Sequence, residues 1–266
     1  MGLRGAEDHA SSAHTASLLS SYTLCRQLCG PQDDNNQVEL PESLLEDLGM
    51  RMGEEVTVED VWGLTQKMTS YKVDQHNLQV LKEQLATSGS VRETARLTSL
   101  GLPYAGAWLT TPPIVALRLH LRPSEFTLSA RYRLGIKVYD SDGPCPACLQ
   151  FSDSFGDHAL CCGHYGERIT RHNQIRDHLF SIAQAAALGP VKEGRFLLPG
   201  ADRRPADVFV PSWAEGLDAA LDVTVVNPLQ GAMVQQAATT AGHAISSAFD
   251  RKMRESSDCC GDAGRA

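Results

Sequence analysis

Cys145, Cys148, His158 and Cys162 stand in the order C-x2-C-x9-H-x3-C. This spacing constrains the chain more than any other feature of its sequence. A C-x2-C pair grips an ion from one tight turn, and an H-x3-C pair closes the coordination from a short helix or turn. Pro144 and Pro146 stiffen the first turn, and Gly143 and Gly156 permit sharp backbone beside it. Four protein ligands complete a tetrahedron, so the spacing predicts a closed, structural Zn²⁺ site. Cys161 and His164 lie close by, and H-x2-C through Cys161 is the tighter alternative to H-x3-C through Cys162. The competing reading is a set of free thiols and a core histidine. The start of the chain, MGLRGAEDHASSAHTASLL, has no charged lead into an apolar stretch and does not read as a secretory signal. That predicts a nuclear or cytoplasmic protein whose eight cysteines stay reduced, which favours the metal.

Around this cluster the pattern predicts an α+β chain in five segments. Residues 1–40, rich in Ser, Ala and Gly, read as a flexible N-terminus with a short helix in SLLSSYTLCRQLC. Residues 41–140 read as a helical and linker region. Its helices are LPESLLEDLGM, a run through VEDVWGLTQKM capped by Thr57, a longer one after Asp74 carrying Leu78, Leu81 and Leu85, and SVRETARLTSLG. VALRLHL alternates as a strand does, and Ser124 is placed to cap FTLSARYRLG. Residues 141–164 form the knuckle. Residues 165–255 predict a helix from Tyr165 to Leu188, with Ile169, His172, Ile175, Leu179, Ile182 and Ala186 on one face. Strands near 191–198, 206–210 and 218–226 in one small mixed sheet follow, then an Ala-rich helix from Ala232 to Met253. Residues 256–266 read as a flexible tail.

Two acids fall on neighbouring predicted strands. Asp207 opens the second, and Asp222 lies in ALDVTVV, where it shares a face with Thr224 and Val226. A carboxylate in so apolar a strand is costly unless paired or metal-bound. Two such carboxylates suit Mg²⁺ held against a phosphodiester, with Glu193 or Glu167 in support. A Lys two residues after the second acid commonly assists such sites; Thr224 stands there, leaving Lys192 or Lys252 as substitutes. Arg168 and His172, four apart on the preceding helix, can face a phosphate together. The blander alternatives are a locally salt-bridged turn for Asp207, a solvent-facing strand end for Asp222 and a solvated helix face for the arginines.

The net charge of −8 weighs against a protein that wraps nucleic acid over its whole surface. The charge is uneven, however: residues 167–207 hold seven Arg or Lys against five Asp or Glu. No apolar run approaches the length of a membrane span, so no membrane partner is expected.

As an ordered set, CPAC at 145–148, GDHALCCG at 156–163, ERITRHNQIRDHL at 167–179, RRPADVFV at 203–210 and LDVTVVNP at 221–228 resemble one known family. This is the C-terminal region of site-specific non-LTR retrotransposon polyproteins, in which a zinc knuckle precedes a restriction-like endonuclease domain. The resemblance covers about residues 99 to 255. It implies a restriction-endonuclease-like helix–three strands–helix core that nicks target DNA, with RNA as a further possible partner. Asp207, Asp222, Glu193, Arg168 and His172 would then be the site, with Mg²⁺ at Asp207 and Asp222 and structural Zn²⁺ at the knuckle. In these elements the catalytic Lys can lie on the following helix, the place of Lys252 here. The family's Pro-Asp dipeptide is Pro-Ala-Asp in this chain. Two other classes compete: a non-catalytic zinc-containing module that binds nucleic acid or protein, and a protein-partner scaffold built on the N-terminal helices.

Overall fold

The computed structural model describes residues 5–29, 40–117, 119–194 and 206–263. The chain divides into two compact units, residues 1–90 and 91–266. It is α+β, with helices throughout and two small antiparallel sheets in the second unit. Among the described residues no helix is long and apolar enough to cross a membrane.

The first unit is helical: α1 (Ala6–Cys29), α2 (Glu42–Met52), α3 (Val58–Val61) and α4 (Gln66–Ser88). Leu19, Leu40, Leu48, Met52, Val61 and Val73 form its core. The short helix expected in SLLSSYTLCRQLC is in fact the C-terminal half of α1. The N-terminal half belongs to the same helix, which packs on α2 and α4 with Ser11, Ser12 and Thr15 buried. Thr57 caps α3 in a capping box with Asp60, as expected, but the helix lasts one turn. Gly63 at φ 84° breaks it, and the Thr65 hydroxyl restarts the chain by accepting the Met68 N–H. That cap sets the start of α4 eight residues before the expected position at Asp74.

The second unit opens with α5 (Val91–Leu100), α6 (Ala107–Thr110) and α7 (Pro123–Leu134). VALRLHL forms no strand among the described residues; 115–117 is a 3-10 turn instead. Pro112, Pro113 and Pro123 confine this segment, and no neighbouring strand offers it a ladder. The α7 helix starts two residues earlier than Ser124 as its cap implies, with Arg122 in that place. Pro123 occupies its first turn, and the Glu125 carboxylate accepts the Arg122 N–H. The knuckle follows with β1 (Gly143–Pro144), β2 (Phe151–Ser152) and α8 (Asp157–Cys161).

Next come α9 (Glu167–Ala185), β3 (Val191–Lys192), β4 (Val208–Ala214), β5 (Leu217–Leu221), α10 (Val234–Thr239) and α11 (His243–Ala263). The three strands lie in one sheet in the order β3-β4-β5, and both pairings are antiparallel rather than mixed. Residues 195–198 of the first expected strand lie outside the described residues. Ala183 of α9 packs on Val208 and Val210, with Phe180, Leu188, Ala219 and Leu221 around them. The expected inward face of α9 is corrected: Ile169, Ile175 and Ile182 are exposed, whereas Arg176 and Ala183 are buried. Arg176 turns inward because Glu193 and Asp177 satisfy its guanidinium. The single final helix is divided: α10 ends where Thr240 turns extended (φ −127°, ψ 112°), and Gly242, at φ 77°, stands directly before α11. Small residues let α10 pack closely on α5, where Ala95 and Ala237 meet Leu229.

Candidate metal centre and cationic cleft

The four predicted ligands converge. One ligand atom each from Cys145, Cys148, His158 and Cys162 lies within 4.8 Å of all the others. Cys148 Sγ is 3.3 Å from His158 Nε2. A tetrahedral Zn²⁺ with thiolates at about 2.3 Å sets S···S edges near ~3.8 Å, so the set needs only a small contraction to fit. The structure selects Cys162 over Cys161, which is absent from the cluster.

Local chemistry builds this arrangement. Leu149, at φ 60°, donates its N–H to the Cys145 carbonyl and tightens the turn that carries both thiols. The backbone N–H groups of Cys148 and Ala147 point at Cys145 and lower its thiol to about 6, favouring the thiolate that a metal needs. The Gln150 N–H pulls Cys148 down, but burial and the sulfurs of Cys145 and Cys162 prevail and raise it. Asp153 starts α8 by accepting the N–H groups of Asp157 and His158 at 3.0 and 2.8 Å. Burial works against that carboxylate, and these backbone donors outweigh it and hold its pKa below the ordinary value. Gly156 is obligatory here: a Cβ would stand 2.8 Å from Val138 Cγ2, at a φ of 91°.

The knuckle is tied to the helices around it through Asp157. Arg92 of α5 reaches its carboxylate at 2.5 and 3.0 Å, and the Tyr132 hydroxyl of α7 at 3.0 Å. Arg92 also lies 4.1 Å over the ring of Phe155. Burial and the Asp157 charge push the Tyr132 phenol well above its ordinary value, so it stays a donor.

Both acidic residues lie at the end of the second sheet. Val208 and Leu221 form the end pair of the ladder, and Asp207 and Asp222 each stand next to it along their strands. Asp207 is half-buried and fully engaged: His172 Nε2 lies 3.1 Å from Oδ1, and Val223 donates its N–H to Oδ2 at 2.7 Å. That side-chain bond replaces the ladder and lets the chain peel away. Asp222 is therefore exposed, one residue beyond β5, where the sequence pattern expects the interior of a strand. Lys252 of α11 lies 3.2 Å from its carboxylate. Among the described residues His172, Asp207 and Asp222 do not converge as one ligand group. Glu193 pairs with Arg176, Glu167 is exposed on the first turn of α9, and Lys192 is held by Asp177 at 3.0 Å.

An open cleft of about 1290 Å³ adjoins this end of the sheet. Arg96 of α5, Arg133 of α7, Arg168, Arg171 and His172 of α9, and Arg251, Lys252 and Arg254 of α11 line it. No Asp or Glu is among its lining residues. Burial, then Arg96, lowers the Arg133 pKa, and Arg133 Nε is buried without a hydrogen-bond partner. The charge is distributed to match. Residues 1–90 hold fourteen Asp or Glu and six Lys or Arg, which accounts for the whole net charge of −8. Residues 91–266 hold eighteen of each. The global charge therefore does not oppose anion binding by the second unit. Arg168 and His172 both line the cleft. Arg96, Arg133 and the Arg251–Lys252–Arg254 run went unassigned; the last is visible as spacing on one helix, whereas the first two join the cleft only through the fold.

Comparison with protein-family models, with curated proteins and with solved structures gave no match.

Proposed function

We propose that the second unit is a retrotransposon-derived DNA endonuclease domain of the restriction-like kind. In this reading, phosphates of the DNA lie against the arginines of the cleft, and Asp207 and Asp222 act at its edge. The observation that supports it is the cleft lined by seven Arg or Lys and no acid, with the His172–Asp207 and Lys252–Asp222 pairs at the end of the adjoining sheet. Two carboxylates with a phosphate suit Mg²⁺, which takes few protein ligands and keeps its waters. When bound there, that ion would polarise the scissile phosphate and acidify a water. Lys252 supplies the positive charge that Thr224 cannot, and His172 orients Asp207. Cys145, Cys148, His158 and Cys162 would hold a structural Zn²⁺.

Nicking of supercoiled plasmid in Mg²⁺ tests the reading, with Asp222→Ala as the control. Conversion to the open circle by the native chain and its loss in the variant are expected. Binding without nicking in either protein would replace it with the second reading, a zinc-containing nucleic-acid binding module. That reading is favoured by one observation: each carboxylate already has a basic partner.

A further inference from the structure

The segment from Asp222 to Asn227 leaves the sheet without strand pairing, yet it carries one acid of the pair and forms a wall of the cleft. It is pinned at two points. At its start, the Val223 N–H binds Asp207 Oδ2. At its end, one side chain does the work. Asn227 Nδ2 donates to Cys161 Sγ at 3.3 Å and to the Asp157 carbonyl at 3.5 Å. Its Oδ1 accepts the Leu229 N–H at 3.0 Å, closing a turn over Pro228.

Cys161 and Asp157 are the two ends of α8, the helix that carries His158 and runs into Cys162. We infer that Asn227 is a positioning residue that couples the metal state of the knuckle to the Asp222-bearing wall of the cleft. The inference rests on the reading that the Cys3His cluster holds Zn²⁺. A primary amide suits the role because it offers two donors and an acceptor at once. Aspartate has the same shape and keeps the acceptor for Leu229, but it cannot donate to α8. It would also set a carboxylate against a carbonyl and a sulfur.

Amide hydrogen exchange on the full chain tests this, with zinc content measured in parallel. In the native protein, removing zinc with a chelator should speed exchange of the Val223 amide by about tenfold. In Asn227→Asp the amide should exchange at the fast rate with zinc still bound, and chelation should add less than about twofold. A merely structural loss would leave that zinc dependence intact. The coupling is overturned if zinc-loaded Asn227→Asp protects Val223 as the native chain does. It is equally overturned if chelation of the native protein leaves Val223 unchanged, a result that needs no variant to fold. Native protein that carries no zinc would instead overturn the metal reading itself.

Discussion

Lys252 Nζ lies 3.2 Å from Asp222 Oδ2, an ion pair that joins the last helix to the end of the third strand. The two residues are thirty positions apart, and Lys252 comes from α11 rather than from the strand itself. The residue two positions after Asp222 is the uncharged Thr224, so the cation beside this acid comes from the helix.

If Lys252 assists the chemistry, Lys252→Ala should slow plasmid nicking by about a hundredfold, the scale of one lost proton-transfer or charge-stabilising group. DNA affinity should fall much less, because six other Arg or Lys still line the cleft. Comparing nicking rates with fluorescence anisotropy on one duplex separates the two effects. Equal losses in both would make Lys252 a binding residue only.

The cleft makes a prediction of its own. Each lysine or arginine that neutralises a phosphate adds about 0.9 to the slope of log affinity against log salt. Arg168 and Arg254 are exposed cleft residues on different helices, α9 and α11. The double variant Arg168→Ala/Arg254→Ala should therefore lower the slope by about two. A slope equal to that of the native chain would place the DNA elsewhere.

The two units should also respond differently to metal. Cys148→Ser removes one thiolate from the cluster, and ligation energy there is folding energy. Elemental analysis should give one zinc per native chain and far less for the variant. The α1–α4 unit shares no residue with the knuckle, so its helical circular dichroism should persist after zinc is removed. Joint collapse of both units would contradict this.

Different parts of this architecture were legible in the sequence to different degrees, and for physical reasons. The knuckle could be read because its ligands lie in one short stretch and zinc chemistry fixes their spacing. The three strands could be located, but not the end of β4, which runs on past Pro211 to Ala214, nor the end of β5, where a side chain closes the ladder when Asp207 accepts the Val223 N–H. Periodicity misplaced the inward face of α9. It counts Ile169, Ile175 and Ile182 as core and has no means of seeing that Arg176 is buried against Glu193. The tie from Asp157 to Arg92 spans sixty-five residues, and no local pattern announces it.

That tie is a bidentate, largely buried ion pair, with side-chain exposures of 20% for Arg92 and 13% for Asp157. Asp157→Ala would strand the Arg92 guanidinium and remove the acceptor of the Tyr132 hydroxyl. Loss of one partner from such a pair costs about 3 kcal/mol. Tyr132→Phe should cost only about 1 kcal/mol, since it removes one hydrogen bond and leaves the ion pair. Denaturant melts of the zinc-loaded chain, followed by a probe in the second unit, should rank the variants in that order.

The last prediction concerns acid. Lys192 and then Arg176 hold the Asp177 pKa below its ordinary value of 3.8. A lowered folded value means that the contribution of Asp177 to stability is complete above the unfolded value. It is lost as pH falls through the folded one. The tie between α9 and β3 should therefore hold at neutral pH and weaken only below about pH 4. An NMR titration of the Asp177 carboxyl carbon should give a midpoint under 3.8 in the native chain. In Lys192→Met the midpoint should move upward while Arg176 still keeps it partly depressed. A midpoint unmoved by that substitution would show that Lys192, although 3.0 Å away, does not govern the charge of Asp177.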